Sequence, residues 1–240
     1  MGERTRLVLW DFVLSAMWVW SGVVVRMLVF DVMQVGRHHG HLAAEIVKMG
    51  LSVANMFVFA FLSNATSGGA YNPLTVLSSA FSAGFRSFFY CVAARIPAQV
   101  LGSIIGVKLL IDTIPEVGRG PRLNTNIHRG ALTEGLLTYA IVTISLGLTT
   151  NLRGGFFMKT WISSLSKLTL HILGSDLTGG CMNPASVMGW AYARGDHITK
   201  EHILVYWIAP IEATILAVWT FKLLVQPVKQ DKTASKTKSD

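Results

Sequence analysis

Two short stretches of the chain repeat one pattern. SGGAYNPLTVLSSAF occupies residues 67–81 and TGGCMNPASVMGWAY residues 178–192, which sets Asn72 and Asn183 111 residues apart. Each reads Gly-Gly, then Asn-Pro, then a short helix-forming run. Neither can cross a bilayer, because crossing takes about 20 apolar residues. Yet apolar segments of spanning length flank both, so any fold must place two short Asn-Pro helices among membrane spans.

The spans themselves are six: roughly 7–30, 42–63, 87–111, 131–150, 156–175 and 202–226. Only 14% of the 240 residues are charged, where a soluble domain carries about a quarter. The mean hydropathy is +0.47. The composition describes an all-α, multi-pass membrane protein, with one domain over 1–226 and a disordered, Lys-rich tail over 227–240. The net charge is +8, but four of the lysines stand in the last twelve residues. That surplus is a topology signal and not a nucleic-acid face. Two cysteines, Cys91 and Cys181, make neither a disulfide framework nor a zinc spacing. HHGH at 38–41 reads as a solvated loop.

The chain is internally duplicated. Segment one opens with DFVLS from Asp11 and segment four with EGLLT from Glu134, both acid-x-x-x-hydroxyl. Each half, about 7–111 and about 131–226, is three spans with a Gly-Gly/Asn-Pro loop between its second and third. Three is odd, so the second half enters the membrane from the opposite side. This is an inverted 3+3 repeat, whose binding region lies at mid-membrane where the halves meet. With the N-terminus inside, ten Lys and Arg flank the cytoplasmic ends of the spans and six the opposite ends, which puts both termini in the cytosol. The sequon at Asn64 then faces the cytosol, out of reach of glycosylation. Within the spans Asp11, Arg95, Glu134 and His171 are costly unless they face the bundle interior or water. The sequence shows no salt-bridge partner for either acid.

Asn caps helices and Pro is favoured at their first position. Asn72-Pro73-Leu74 and Asn183-Pro184-Ala185 therefore each start a half-helix of about 12 Å, re-entering from opposite faces with the N-termini meeting near the middle. Backbone that irregular is tolerated at such depth only when buried in protein or lining a watery cavity. Each N-terminus carries about half a positive charge, a field that opposes cations. The Asn72 and Asn183 amides are expected to donate to a passing oxygen, and exposed loop carbonyls to accept from a file of permeant molecules. The residues describe a pore for small neutral molecules, needing no cofactor, metal or catalyst. No nucleophile–base pair appears, so an enzyme is not the reading.

With both loops, the two acids, AQVLGSIIG from Ala98 and YWIAP from Tyr206, the spanning region resembles the major intrinsic protein family, the aquaporins. Leu74 in the first motif, the short N-terminus and the Lys-rich tail are similar to the second subgroup of plant small basic intrinsic proteins. The resemblance implies six transmembrane helices plus two re-entrant half-helices, a homotetramer with one pore per subunit, and Asp11 and Glu134 as acceptors of loop N–H groups outside the pore. By the family's offsets its constriction falls on Ser52, His171, Gly180 and Ser186. Water-selective members place an aromatic ring, His, a small residue and Arg there; with two serines the constriction should be wider and less positive. The bulk of Leu74 moves the tightest point toward the midplane. The partners implied are water or a small neutral solute and the lipid bilayer; the alternative is an aquaporin-like scaffold whose pore is poorly conducting or closed. Lys236 and Lys238 form a Lys-x-Lys-x-x ending that reads as a retrieval address for the endoplasmic reticulum, and the resemblance implies the same membrane.

Overall fold

The computed structural model describes residues 2–118, 120–150 and 153–224; the tail with Lys236 and Lys238 lies outside them. Eight helices organise the chain. They are α1 (Glu3–Val32), α2 (His41–Ala65), α3 (Pro73–Ala83), α4 (Phe85–Thr113), α5 (Ile127–Thr150), α6 (Phe156–Gly174), α7 (Pro184–Arg194) and α8 (Lys200–Leu224). Short helical turns at Val35–His39 and Pro115–Val117 sit in connections. The six long helices are the expected spans, and α3 and α7, of 11 residues each, are the half-helices.

Five of the long helices are apolar enough to cross a membrane by composition: α1, α2, α4, α5 and α8. α6 falls short because one face of it is polar. Lys159, Thr160, Ser163, Ser164 and Lys167 recur at helical spacing and line an internal cavity, while Trp161, Leu165 and Ile172 are exposed. A helix that is polar inside and apolar outside is what a water-lined membrane interior requires.

The two halves pack by one plan. α1 lies against α4 and α5 against α8, the first and third spans of each half. α7 packs on α4 and α3 on α8, so each half-helix is held by the third span of the other half. The AQVLGSIIG stretch explains the closest of these approaches. A Cβ at Gly102 would collide with the Phe12 carbonyl, and one at Gly106 would come within 2.9 Å of the Ala16 Cα. Gly189 of α7 has the same relation to α4, since its Cβ would stand 2.6 Å from the Ser103 carbonyl oxygen. Small residues let helices approach where lipid supplies no hydrophobic drive between them.

Both third spans widen by one turn in front of a proline. The N–H of Ile96 bonds to the carbonyl of Cys91, and that of Ala209 to Leu204, each five residues back. Pro97 and Pro210 follow directly. Proline has no N–H, and its ring clashes with the carbonyl four residues back, so the wider turn absorbs it without breaking the helix.

Candidate functional site

Asn72 and Asn183 are in a reciprocal arrangement. The Asn72 side-chain oxygen accepts from the N–H of Leu74 at 3.0 Å and caps α3. The Asn183 oxygen accepts from the N–H of Ser186 at 3.3 Å and caps α7. Each amide nitrogen crosses to the other loop: Asn72 Nδ2 donates to the Met182 carbonyl at 2.7 Å, and Asn183 Nδ2 to the Tyr71 carbonyl at 3.2 Å. Each asparagine thus holds the residue preceding its counterpart, and the two helix N-termini are fastened at one point.

The crossing engages part of each amide and some of the loop carbonyls. One N–H of each amide is spent on the opposite loop, and the second remains. The Tyr71 and Met182 carbonyls are occupied by those amides. Gly68 and Thr178 carbonyls accept from Arg95 Nη2 (2.6 Å) and the Tyr206 hydroxyl (2.8 Å). What the crossing offers a solute is a fixed field and the second N–H of each asparagine.

The acids hold the loops from behind. Asp11 is fully buried and accepts from the N–H of Ala70 at 2.7 Å. It also forms a two-pronged ion pair with Arg95, Nε to Oδ2 at 2.6 Å and Nη2 to Oδ1 at 2.8 Å. The partner that the sequence does not show for Asp11 is thus Arg95, 84 residues away. In the second half Glu134 takes the Thr178 hydroxyl at 2.7 Å and the N–H groups of Cys181 and Met182 at 2.9 Å each. These bonds fix Met182, whose φ of 46° lies in the left-handed region that a side chain disfavours. Both acids are buried, at 0% and 1% exposure, with three hydrogen bonds each.

The four constriction positions are only partly brought together. His171 Nδ1 lies 3.2 Å from the Gly180 carbonyl, a contact that needs the ring proton on Nδ1. A Cβ at Gly180 would strike the His171 carbonyl, so only glycine lets the loop pass this close, at φ 52°. Ser186 sits in the first turn of α7, with its N–H on Asn183. Ser52 turns its hydroxyl to its own helix, donating to the Lys48 carbonyl at 2.8 Å. Leu74, in the first turn of α3, is 2% exposed.

A cavity of about 300 Å³ runs to Asn72 between α2, α5, α6 and the first loop. Tyr71, Phe59, Ser63, Ser145 and the polar stripe of α6 line it. A larger cavity of about 920 Å³ lies behind α7, among Trp190, Arg194, His202 and Tyr206, and contains none of the motif or constriction residues. The smaller one is therefore the relevant space. Sequence reasoning did not show the aromatic seat beside it. Trp18 and Tyr71 stack with ring centroids 4.1 Å apart, and Lys167 stands over both rings. Tyr71 immediately precedes Asn72, and Lys167 is four residues before His171 on the same helix; those adjacencies were the available signals.

Paired inverted triplets of spanning helices, half-helices joined at their N-termini and a polar cavity at the junction define a membrane channel. The family model "Major intrinsic protein" matches residues 3–221, and the chain belongs to that family. It is similar to "Probable aquaporin SIP2-1" of Arabidopsis thaliana, 57% identical over 237 residues covering 99% of both chains. It is also similar to "Aquaporin SIP2-1" of Oryza sativa subsp. japonica, 49% identical over 98% of this chain and 94% of that one. Its fold matches the X-ray structure of the aquaglyceroporin from Plasmodium falciparum with a TM-score of 0.64, at 17% identity, over 93% of this chain and 98% of that chain. The protein is a multi-pass membrane channel of this family and not an enzyme.

Proposed function

We propose that the chain is a passive channel for water and other small uncharged solutes across the endoplasmic reticulum membrane. Residues 1–226 form the channel and 227–240 a cytosolic tail. The reading rests on one observation above all: the crossed bonds Asn72 to Met182 and Asn183 to Tyr71 set two helix N-termini against each other beside a polar cavity. Two partial positive charges there disfavour cations while a neutral molecule loses nothing. His171, Gly180, Ser186 and Ser52 form the constriction, and with serines in two of the four places it admits solutes larger than water.

A homotetramer is part of the proposal, and α8 supports it. Glu212 is exposed on the same helical stripe as Leu216, Trp219 and Leu223, and has no ion pair or side-chain hydrogen bond among the described residues. A carboxylate facing lipid near mid-span costs about 2.5–3.5 kcal/mol on insertion scales, and a neighbouring subunit covering that face removes the cost. Both termini face the cytosol, as the Lys and Arg distribution favours.

The test is stopped-flow light scattering of liposomes holding the purified protein, with water, glycerol and hydrogen peroxide gradients compared against empty liposomes. Faster water shrinkage together with faster entry of at least one larger solute is the expected result. Rates equal to empty liposomes for all three would leave a closed scaffold as the function.

A further inference from the structure

The cavity wall carries two charged side chains among the described residues, Lys159 and Lys167, and no carboxylate. Lys167 is the deeper of the two, eight residues further along α6, or about 12 Å. Its ammonium donates to the Tyr71 hydroxyl at 3.3 Å and stands 4.6 Å from the centroid of the Trp18 ring and 5.0 Å from that of Tyr71. The platform beneath it is rigid. Trp18 and Tyr71 are stacked within 15° of parallel, and Phe59, itself buried, meets both edge-on at 5.0 and 5.1 Å. The backbone carbonyl of Tyr71 is the group that the Asn183 amide grips. The ammonium is therefore seated on the residue that joins the two loops.

We infer that Lys167 is the charge filter of this pore: a fixed cation beside the Asn-Pro crossing that turns back hydronium and metal cations. The inference rests on the channel reading above. The geometry suits this role better than a structural one. A lysine with no carboxylate partner in a membrane interior is held only where water or aromatic faces compensate it, and here the cavity and the two rings do so. A full charge outweighs the half charge at each helix N-terminus. It shares the cavity wall with Asn72, the cap of the first half-helix. Trp18 and Tyr71 are positioning residues, since they act through Lys167. Lys159, at the far end of the polar stripe, adds a weaker field of the same sign.

The experiment uses the full-length protein in liposomes that carry a pH-sensitive dye inside. Proton and potassium leak is measured and divided by the water flux of the same vesicles, so that only conducting channels are counted. The wild type should leak no more than empty vesicles, and Lys167→Met should raise the leak-to-water ratio about tenfold, the scale of one unit charge acting across several ångströms of partly screened space. Lys167→Arg should keep the wild-type ratio, and Lys159→Met should raise it less. Where the Met variant does not reconstitute, Lys167→Gln serves in its place, with the same expectation. A wild type that conducts both water and cations overturns the inference, as does a Met or Gln variant with an unchanged ratio. A wild type that conducts no water overturns the channel reading itself.

Discussion

Arg95 and Tyr206 are counterparts, 111 residues apart like Asn72 and Asn183, and each donates to a backbone carbonyl of its own half's loop: Arg95 to Gly68 and Tyr206 to Thr178. Each lies in the widened turn that precedes the proline of its helix. The duplication has kept the job and changed the chemistry. In the first half the loop is held by an ion pair to buried Asp11, and in the second by a neutral phenol beside Glu134, whose three hydrogen bonds come from Thr178, Cys181 and Met182.

The two halves should therefore respond unequally to truncation. Arg95→Met leaves the Asp11 carboxylate buried without its cation and should cost about 3–5 kcal/mol. Tyr206→Phe removes one hydrogen bond and should cost about 1–3 kcal/mol, the upper end if the Thr178 carbonyl finds no substitute. Thermal unfolding of the detergent-solubilised protein reads the difference, with Arg95→Met the lower-melting variant. Pairing Arg95→Met with Asp11→Asn should recover part of the loss, because the stranded charge is then gone. Equal melting temperatures for the two single variants would mean that the ion pair contributes no more than the phenol.

The central asparagines make a sharper case for aspartate than a field argument alone supplies. Aspartate at 72 can still accept from the Leu74 N–H, so α3 keeps its cap. It has no N–H for the Met182 carbonyl, and a carboxylate oxygen is set against that carbonyl instead. Asn183→Asp has the same effect at Tyr71. Both variants weaken the crossing and put a negative charge where two helix N-termini supply positive potential. Water flux should fall to the empty-liposome rate, or potassium should begin to pass. Unchanged water flux without ion leak in both variants would remove the crossing from the transport path.

The parts of this fold that a single residue type dictates were legible in the sequence. Pro after Asn marks a helix start in any context, so α3 and α7 could be placed from Asn72-Pro73 and Asn183-Pro184, and the odd number of spans per half fixed their opposed entry. Partnerships were not legible. Arg95 was visible as a charge inside a span, but its pairing with Asp11 joins positions 84 residues apart, and no periodicity records that. The asparagine amides were read as donors to a solute, and the sequence did not show that each also holds the other loop; the acceptor of Asn72 lies 110 residues away. The seat of Lys167 on the rings of Trp18 and Tyr71 joins three separate elements, and no spacing in the sequence records it.

At the proposed constriction, Ser186→Arg places a guanidinium in the first turn of α7. The side chain adds bulk and charge together. Glycerol and peroxide entry should drop several-fold while water flux falls less, since a water molecule needs the smallest opening and can hydrogen-bond to the guanidinium as it passes. The liposome assay with all three solutes is the measurement. Undiminished glycerol and peroxide entry in a variant that still conducts water would place the constriction elsewhere and remove Ser186 from it.

The last prediction concerns residence in the cell. The chain ends KTKSD, with Lys236 fifth and Lys238 third from the end, a Lys-x-Lys-x-x pattern of the kind cytosolic coats read to return membrane proteins to the endoplasmic reticulum. Such an address works through a receptor and so demands a tail that is cytosolic and accessible. The Lys and Arg bias favours a cytosolic C-terminus on independent grounds. From residue 227 the sequence is polar, with no apolar face that could bury it. Replacing Lys236 and Lys238 by Ser should send the protein onward to the Golgi and plasma membrane, seen by imaging a tagged chain against organelle markers. The tag belongs at the N-terminus, because a C-terminal fusion would itself mask the motif. Wild-type protein found at the plasma membrane would end the retrieval reading, and a double-Ser variant that stays in the reticulum would assign residence there to the spanning helices instead.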